Sequence, residues 1–206
     1  IVPGNFIAAA ADLEKFPPLN AAFYRIAAFS VAGALFGTLR LLYTPSTVFE
    51  KLVPILLALA TALFAYGKSI NNWIRARALS LHGREPQLNS ASMLVLLPVS
   101  IYVGYFGAGA GILLLAVFSI WHAGDYRAAN VIKNLVSAFC AVGSVVLLSF
   151  YGVIDWKAGT VLMLGTVVGG WIGGRIARIA PREIMVAVGI LIGVALTCIY
   201  AWRYWF

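Results

Sequence analysis

Charged residues are scarce in this sequence of 206 residues, of which only 11% are Asp, Glu, Lys or Arg. A soluble domain carries about 25% of such residues, so too few charges are present to cover a surface that faces water. Hydrophobic residues make up 62% of the chain and form several stretches close to the roughly 20 residues that cross a bilayer core. The composition excludes an ordinary soluble domain and predicts an all-α, multi-pass membrane protein.

Acids, histidines and cysteines are also few, and their positions exclude several kinds of chemistry. The apolar stretches contain no pair of Asp, Glu or His, which an enzyme needs for acid–base or nucleophilic catalysis. We therefore predict that the protein is not an enzyme. His82 and His122 have no metal-ligand spacing around them, so neither a metal site nor a cofactor is expected. Cys140 and Cys198 lie in apolar stretches and are predicted to be small buried hydrophobic residues.

Basic residues exceed acidic ones, with 15 Lys and Arg against 7 Asp and Glu. Most of them lie at the ends of apolar stretches, and Trp202 and Trp205 resemble the aromatic belt of a membrane interface. This distribution is typical of anchoring to the bilayer and argues against binding to nucleic acid.

The apolar stretches divide the chain into spans. The sequence begins at Ile1 inside an apolar stretch, 1–11, which we interpret as the end of a span whose beginning is missing. The longest polar segment, 67–87, is interpreted as a basic linker between two halves. Complete spans are predicted at 21–42, 48–66, 131–151, 158–177 and 184–202.

The segment 92–121 differs from these spans, because it is 30 residues long and uncharged but carries glycines at its centre. Gly104, Gly107, Gly109 and Gly111 weaken a helix by about 1 kcal/mol each relative to alanine, and Pro98 weakens it further. We expect a discontinuous helix or a re-entrant hairpin rather than one long helix.

An internal repeat emerges when the sequence is shifted by 136 residues. In this alignment Gly33 corresponds to Gly169, Pro45 to Pro181 and Thr61 to Thr197. The alternative is that two unrelated helix hairpins share such a pattern. Repeats are common in transporter folds, so we divide the chain into a first, N-terminally incomplete repeat (1–66), a cytoplasmic basic linker (67–91) and a second repeat (92–206).

Charge counting orients these repeats. If 92–121 crossed the membrane once, the Lys and Arg residues would divide eight to seven between the two sides. If it enters and returns on one side, they divide eleven to four, which satisfies the positive-inside rule. The second arrangement also inverts the two repeats relative to each other.

The glycine run is the first candidate binding site, formed by Gly107, Gly109 and Gly111. A break within the membrane exposes N–H groups at the start of the following half-helix, and its dipole adds partial positive charge there. Such an end can hold an anion. The alternative is a flexible kink or a packing site with no ligand.

The second candidate is the set Asn130, Lys133 and Asn134, whose spacing puts all three on one helix face. Lys133 would neutralise an anion while the two amides donate hydrogen bonds. Alternatively, Lys133 is an anchor that extends its amine toward the membrane surface.

Several motifs together resemble the C-terminal half of the sulfite exporter TauE/SafE family. They are Gly104-Tyr-Phe-Gly107-Ala-Gly109-Ala-Gly111, Ala129-Asn130-Val-Ile-Lys133-Asn134, Val153-Ile-Asp155-Trp156, and the turn near Arg178–Pro181. The region from Val2-Pro3-Gly4-Asn5 through Phe49–Pro54 is similar to the later part of that family's first half.

The resemblance implies a permease of the bacterial inner membrane that moves sulfite, sulfonates or similar small anions by alternating access. The family also has a glycine-rich segment in its first half, which this sequence lacks, and Ala108 and Ala110 stand where it often has glycine. Two other functions stay open: a carrier of organic anions without sulfur, and a membrane assembly factor without transport activity. A homodimer is compatible with each of these functions. The sequence does not specify the substrate, the direction of transport or the coupling ion.

Overall fold

The computed structural model describes residues 2–10, 13–17, 20–82, 90–121, 125–179 and 182–205, and within these ranges it contains helices and no strand. The fold of the described chain is therefore all-α, as predicted. Eight α-helices follow one another: α1 Val2–Ala10, α2 Ala21–Tyr43, α3 Ser46–His82, α4 Ser90–Tyr105, α5 Ala110–Trp121, α6 Tyr126–Phe150, α7 Trp156–Ile179 and α8 Arg182–Trp205.

Four of the helices are long and apolar enough to cross a bilayer, which confirms a multi-pass membrane protein. They are α2, the part of α3 from Ser46 to Gly67, α6 from Arg127, and α8 from Val186. These match four of the five predicted complete spans. The fifth, 158–177, lies in α7, many of whose later side chains fall outside the described set.

The segment predicted as a linker begins as helix. The apolar part of α3 ends at Gly67, but the helix itself continues to His82. Residues 83–89 of the predicted linker (67–91) lie outside the described residues, and its last two positions begin α4.

Polar side chains fix the starts of three helices by accepting hydrogen bonds from N–H groups that have no partner within the helix. Asn20 Oδ1 accepts from Phe23 N at 3.0 Å, and Asp125 Oδ1 accepts from Ala128 N at 3.0 Å. Asp155 Oδ1 accepts from the N–H of Lys157 at 2.9 Å. Asp125 also forms an ion pair of 2.9 Å with Lys15, which ties the segment after α1 to the start of α6.

Glycines allow α2 and α4 to pack with their backbones in contact. A Cβ atom on Gly37 would overlap the carbonyl oxygen of Ile101, and one on Gly104 would overlap that of Ala34. A Cβ on Gly33 would lie 2.8 Å from the Cβ of Ser100. Small residues four apart on α2 thus produce the close helix approach expected in membranes.

Contacts along the helices give their relative directions. Gly33 faces Ser100 and Gly37 faces Tyr105, so α2 and α4 run parallel. The rings of Phe23 and Phe139 lie 6.4 Å apart at one end of the α2–α6 contact. Thr38 and Ser144 meet further along the same contact, so α6 also runs parallel to α2.

Two other helix pairs are antiparallel. In the α3–α8 pair, Trp205 Nε1 donates to the Lys51 carbonyl at 3.1 Å, while Gly189 packs against Phe64. In the α1–α6 pair, the Phe6 and Phe139 rings lie 6.0 Å apart, whereas Ala9 packs against residues nearer the start of α6.

The main core forms where α2, α4, α5 and α6 meet. Its central side chains come from all four helices, with Phe118, Leu114 and Leu96 fully buried. This core fixes α4 and α5, the helices before and after the glycine segment, against α2 and α6.

We predict that Gly37→Ala lowers the stability of the protein by about 1–3 kcal/mol, because the added methyl group must displace the backbone of α4. Gly165→Ala is the matched control, since a Cβ there meets nothing within 4 Å and alanine favours the helix. Thermal unfolding of the purified proteins in detergent measures both changes. Equal melting temperatures for Gly37→Ala and the control would contradict the backbone contact.

The second prediction concerns pH. The Lys15 ammonium, followed by the Ala128 N–H, holds the pKa of Asp125 below its ordinary value. The folded protein therefore keeps this carboxylate charged at lower pH than the unfolded chain does, and the contact stabilises the fold above about pH 4. As pH falls through the lowered pKa, that stabilisation disappears.

The stability difference between the original protein and Asp125→Asn should accordingly be present at neutral pH and vanish in acid. Lys15→Met should reproduce part of that difference, because it removes the ion pair and keeps the cap on α6. Thermal unfolding across a pH series measures the three proteins. A difference that grows as the pH falls would contradict this role of Asp125.

Candidate functional site

The predicted break lies between Tyr105 and Ala110. The N–H groups of Phe106 and Gly107 both donate to the carbonyl of Tyr102, at 3.0 and 3.1 Å, which closes α4. Gly107 and Gly109 then adopt φ angles of +74° and +73°, in the left-handed region that glycine enters at low cost. The glycines are thus required by the backbone conformation, and the single long helix is excluded.

Neighbouring groups hold this turn in place. The Tyr102 hydroxyl donates to the carbonyl of Ala108 at 2.7 Å. Gly109 lies against α3, where an added Cβ would be 3.2 Å from the Cα of Ala60. Gly107 is exposed, and an added Cβ on Gly111 would meet nothing within 4 Å. Of the three predicted glycines, Gly109 is thus a packing position, while Gly107 and Gly111 border open space.

Free backbone N–H groups remain at the start of α5. Ala110 and Ile112 donate to the carbonyls of Gly107 and Gly109, at 3.3 and 3.0 Å. Among the described residues, the N–H groups of Gly109 and Gly111 donate to no backbone carbonyl across this turn. Together with the helix dipole, these groups can interact with an anion.

The second predicted set lies in the first half of α6. Asn134 is buried with 3% of its surface exposed, and Asn130 and Lys133 are half-buried. In the part of the chain that the structure describes, Lys133 has no ion pair or hydrogen bond. A cation in a membrane-spanning helix is costly without a partner and commonly marks a functional site.

The structure places the two candidate sets in adjoining helices without direct contact. No hydrogen bond among the described residues joins the glycine turn to Asn130, Lys133 or Asn134. Ser144, which lies level with the end of α4, is about 16 Å further along α6 than Lys133 at 1.5 Å per residue. The two candidate sets are therefore separated along the direction of α6.

A third polar cluster, at the end of α4, was not predicted from the sequence. The Thr38 hydroxyl lies 3.1 Å from the Gly104 carbonyl oxygen and 2.8 Å from the Ser144 hydroxyl. It joins α2, α4 and α6 beside the break. Thr38 follows Gly37 on the face of α2 that packs closely, which was the only sequence signal available for it.

Three buried serines were also missed. The hydroxyl groups of Ser30, Ser100 and Ser119 have no hydrogen-bond partner among the described residues. Ser100 packs on Gly33, so at least one of them lies in the tight α2–α4 contact. Because these serines are buried, the interior of the protein contains polar groups as well as apolar side chains.

An open groove of about 310 Å³ lies between α3 and α8. Thr61 and Thr197 line it from opposite helices, but their hydroxyls donate to the carbonyls of Leu57 and Gly193 in their own helices, at 2.8 and 2.7 Å. The groove therefore presents an almost entirely apolar wall. Cys198, predicted to be buried, is instead exposed in this groove, whereas Cys140 is buried as predicted.

The described residues contain no group of three or more His, Cys, Asp or Glu side chains that could hold a metal ion. His122 lies outside the described residues, and so does the side chain of His82. The candidate chemistry therefore rests on one ammonium group, amides, hydroxyls and free backbone groups.

Comparison with known proteins agrees with this arrangement. The chain is 25% identical over 171 residues to a protein of Sinorhizobium sp. named probable membrane transporter protein ORF9, and the match covers 83% of this chain and 63% of that protein. The chain thus spans less than two thirds of the length of that relative. No solved structure matches. A sequence model described as sulfite exporter TauE/SafE matches residues 1–200, and the chain belongs to this family of membrane transporters.

Proposed function

We propose that the protein transports sulfite, sulfonates or similar small anions by alternating access. The observation that carries the proposal is Lys133, a half-buried cation within the membrane-spanning part of α6. In a low-dielectric interior an ammonium group attracts an anion far more strongly than it does in water. A small anion would supply the negative charge that Lys133 lacks among its described neighbours.

The amides beside Lys133 favour an oxyanion. Asn130 and Asn134 can each donate two N–H hydrogens from the side chain. Asn130 lies about one turn before Lys133, and Asn134 directly follows Lys133. Sulfite and sulfonates carry several oxygens that accept such bonds. The free N–H groups at the start of α5 offer a second binding place for the same ligand, further along the direction of α6 than Lys133.

The helix directions support a re-entrant hairpin of α4 and α5. The end of α4 lies level with Ser144, and Tyr126 is about 27 Å before Ser144 along α6 at 1.5 Å per residue. Since α5 ends at Trp121, five positions before Tyr126, it must return toward the level at which α6 begins. This return puts the basic residues on the two sides in the ratio eleven to four, so we assign the basic side to the cytoplasm. The bacterial inner membrane is what membership of the family implies.

The antiparallel pairs support inverted repeats. A shift of 136 residues relates α3 to α8 and α1 to the second half of α6. Equivalent helices that pack antiparallel are what a two-fold axis in the membrane plane produces. The division into repeats 1–66 and 92–206, joined by a cytoplasmic linker at 67–91, then gives two bodies whose relative movement provides alternating access.

Counterflow in liposomes tests the function and the site together. We expect labelled sulfite to exchange, and Lys133→Met to weaken its apparent affinity at least tenfold, which is about 1.4 kcal/mol. Lys157→Met is the matched control, because this lysine is exposed at the start of α7. A carboxylate of similar size distinguishes an organic-anion carrier from a carrier of sulfur oxyanions.

Each result has a clear reading. Exchange of neither anion would contradict the transport proposal and favour an assembly role. Unchanged affinity in Lys133→Met would assign Lys133 to anchoring at the membrane surface.

The re-entrant hairpin predicts that positions before α4 and after α5 lie on one side of the membrane. Single cysteines at Asn72 and Asp125, in a background with Cys140→Ala and Cys198→Ser, should react with an impermeant maleimide only from the cytoplasmic side. A cysteine at Thr47 should react only from the opposite side. Labelling of Asn72→Cys and Asp125→Cys from opposite sides would show that α4 and α5 cross the membrane once.

A further inference from the structure

Oxygen atoms from three helices meet where α4 ends. Thr38 Oγ1 lies 2.9 Å from the carbonyl oxygen of Ala34, 3.1 Å from that of Gly104 and 2.8 Å from Ser144 Oγ. Thr38 has 1% of its surface exposed. Three oxygens thus lie around the buried hydroxyl of Thr38, which makes a group of four.

These oxygens outnumber the protons available to them. Thr38 and Ser144 each carry one hydroxyl proton. When Ser144 donates to Thr38, the single proton of Thr38 is shared between the carbonyls of Ala34 and Gly104. Lone pairs therefore face the cluster without a donor, which suits a hard cation, since such ions take oxygen ligands.

The end of α4 adds a negative field at this position. The chain turns after Tyr105, and the next N–H groups donate to Tyr102, so none of them reaches the Gly104 carbonyl. The carboxyl end of a helix carries partial negative charge. In secondary transporters with broken helices, such ends and unwound carbonyls coordinate sodium ions.

The basic residue on this part of α2 does not compete for the cluster. Arg40 is exposed, and its guanidinium lies over the ring of Phe36, 5.5 Å from the centroid. The cluster contains hydroxyls and carbonyls but no carboxylate, imidazole or amine, so no group in it titrates near neutral pH. Sodium rather than a proton fits these ligands.

We propose that a sodium ion binds between the hydroxyls of Thr38 and Ser144 and the carbonyl of Gly104, and couples to anion transport. The coupling role rests on the proposed anion transport, whereas the binding itself does not. The two ends of the break then have complementary tasks. The carboxyl end of α4 holds the cation, and the amino end of α5 faces the anion.

Thermal unfolding of the purified full chain in detergent tests the binding. We compare sodium chloride with potassium chloride and choline chloride at equal concentration, which keeps ionic screening constant. Binding to the folded state alone should raise the melting temperature in sodium by about 2–5 °C at a concentration well above the dissociation constant.

Variants locate the effect. Thr38→Val keeps the shape of the side chain and removes its hydroxyl, and Ser144→Ala removes the second hydroxyl; both should lose the sodium-specific rise. Thr197→Val is the matched control, because its hydroxyl also donates to the carbonyl four residues earlier, at 2.7 Å, but lies on α8. If Thr38→Val does not fold, Ser144→Ala decides.

Equal melting temperatures in sodium and potassium would overturn the proposal and leave the cluster as a hydrogen-bonded contact between helices. A sodium effect that persists in both Thr38→Val and Ser144→Ala would equally overturn it. In liposomes, anion exchange that proceeds equally well with sodium or potassium would contradict the coupling role. Sodium binding without any sulfite exchange would refute the proposed substrate while retaining this site.

Discussion

The structure depends on one requirement of the bilayer, which is that each backbone polar group must find its partner inside the protein. The turn between α4 and α5 breaks the regular hydrogen bonding within the apolar part of the chain. Tyr102 supplies several of the partners that the turn needs, because its carbonyl accepts hydrogen bonds from two N–H groups and its hydroxyl donates to the carbonyl of Ala108. The core of α2, α4, α5 and α6 fixes the helices on both sides of this turn, while Gly107 and Ala108 within the turn are exposed.

The same requirement explains why the polar groups of the interior are mostly uncharged. Thr38 and Ser144 satisfy a carbonyl without bringing a charge into the membrane. In α6, Lys133 is the charged residue that departs from this rule. Two helix ends of opposite polarity, a few residues apart in sequence, provide local fields of both signs without any buried carboxylate among the described residues. A neutral scaffold of this kind can accommodate a charged ligand at moderate cost, because its own dipoles are already fixed.

Much of the fold could be predicted from the sequence, because hydropathy and glycine act locally. The four spans follow from apolar length, and the break follows from the two glycines that adopt positive φ. The extension of α3 beyond Gly67 could not be predicted from polarity, since Lys, Arg and Ala favour a helix even where they end a membrane span. Gly169, which the repeat aligns with Gly33, does not share its close contact, since a Cβ there meets nothing within 4 Å.

The polar cluster at the break was beyond the reach of sequence patterns. Thr38 and Ser144 are 106 positions apart, and only the packing of α2 against α6 brings them together. Threonine and serine are also common in membrane helices, where they often donate to their own backbone, as Thr61 does. Spacing could propose Asn130, Lys133 and Asn134 as a candidate set, because those residues share one helix face.

The glycine contact between α2 and α4 has a consequence for movement. No side chain lies between the two backbones at Gly37 and Gly104, so a slide of one residue would press a Cβ atom against a carbonyl oxygen. The pair therefore has a single register, and any relative movement of the two proposed repeats has to pivot about this contact and not slide along it. The α3–α8 contact is different, because Gly189 and Gly193 there face the Phe64 and Thr61 side chains, which can change rotamer. In this chain the atoms that each glycine faces thus separate a fixed contact between backbones from a contact that can adjust.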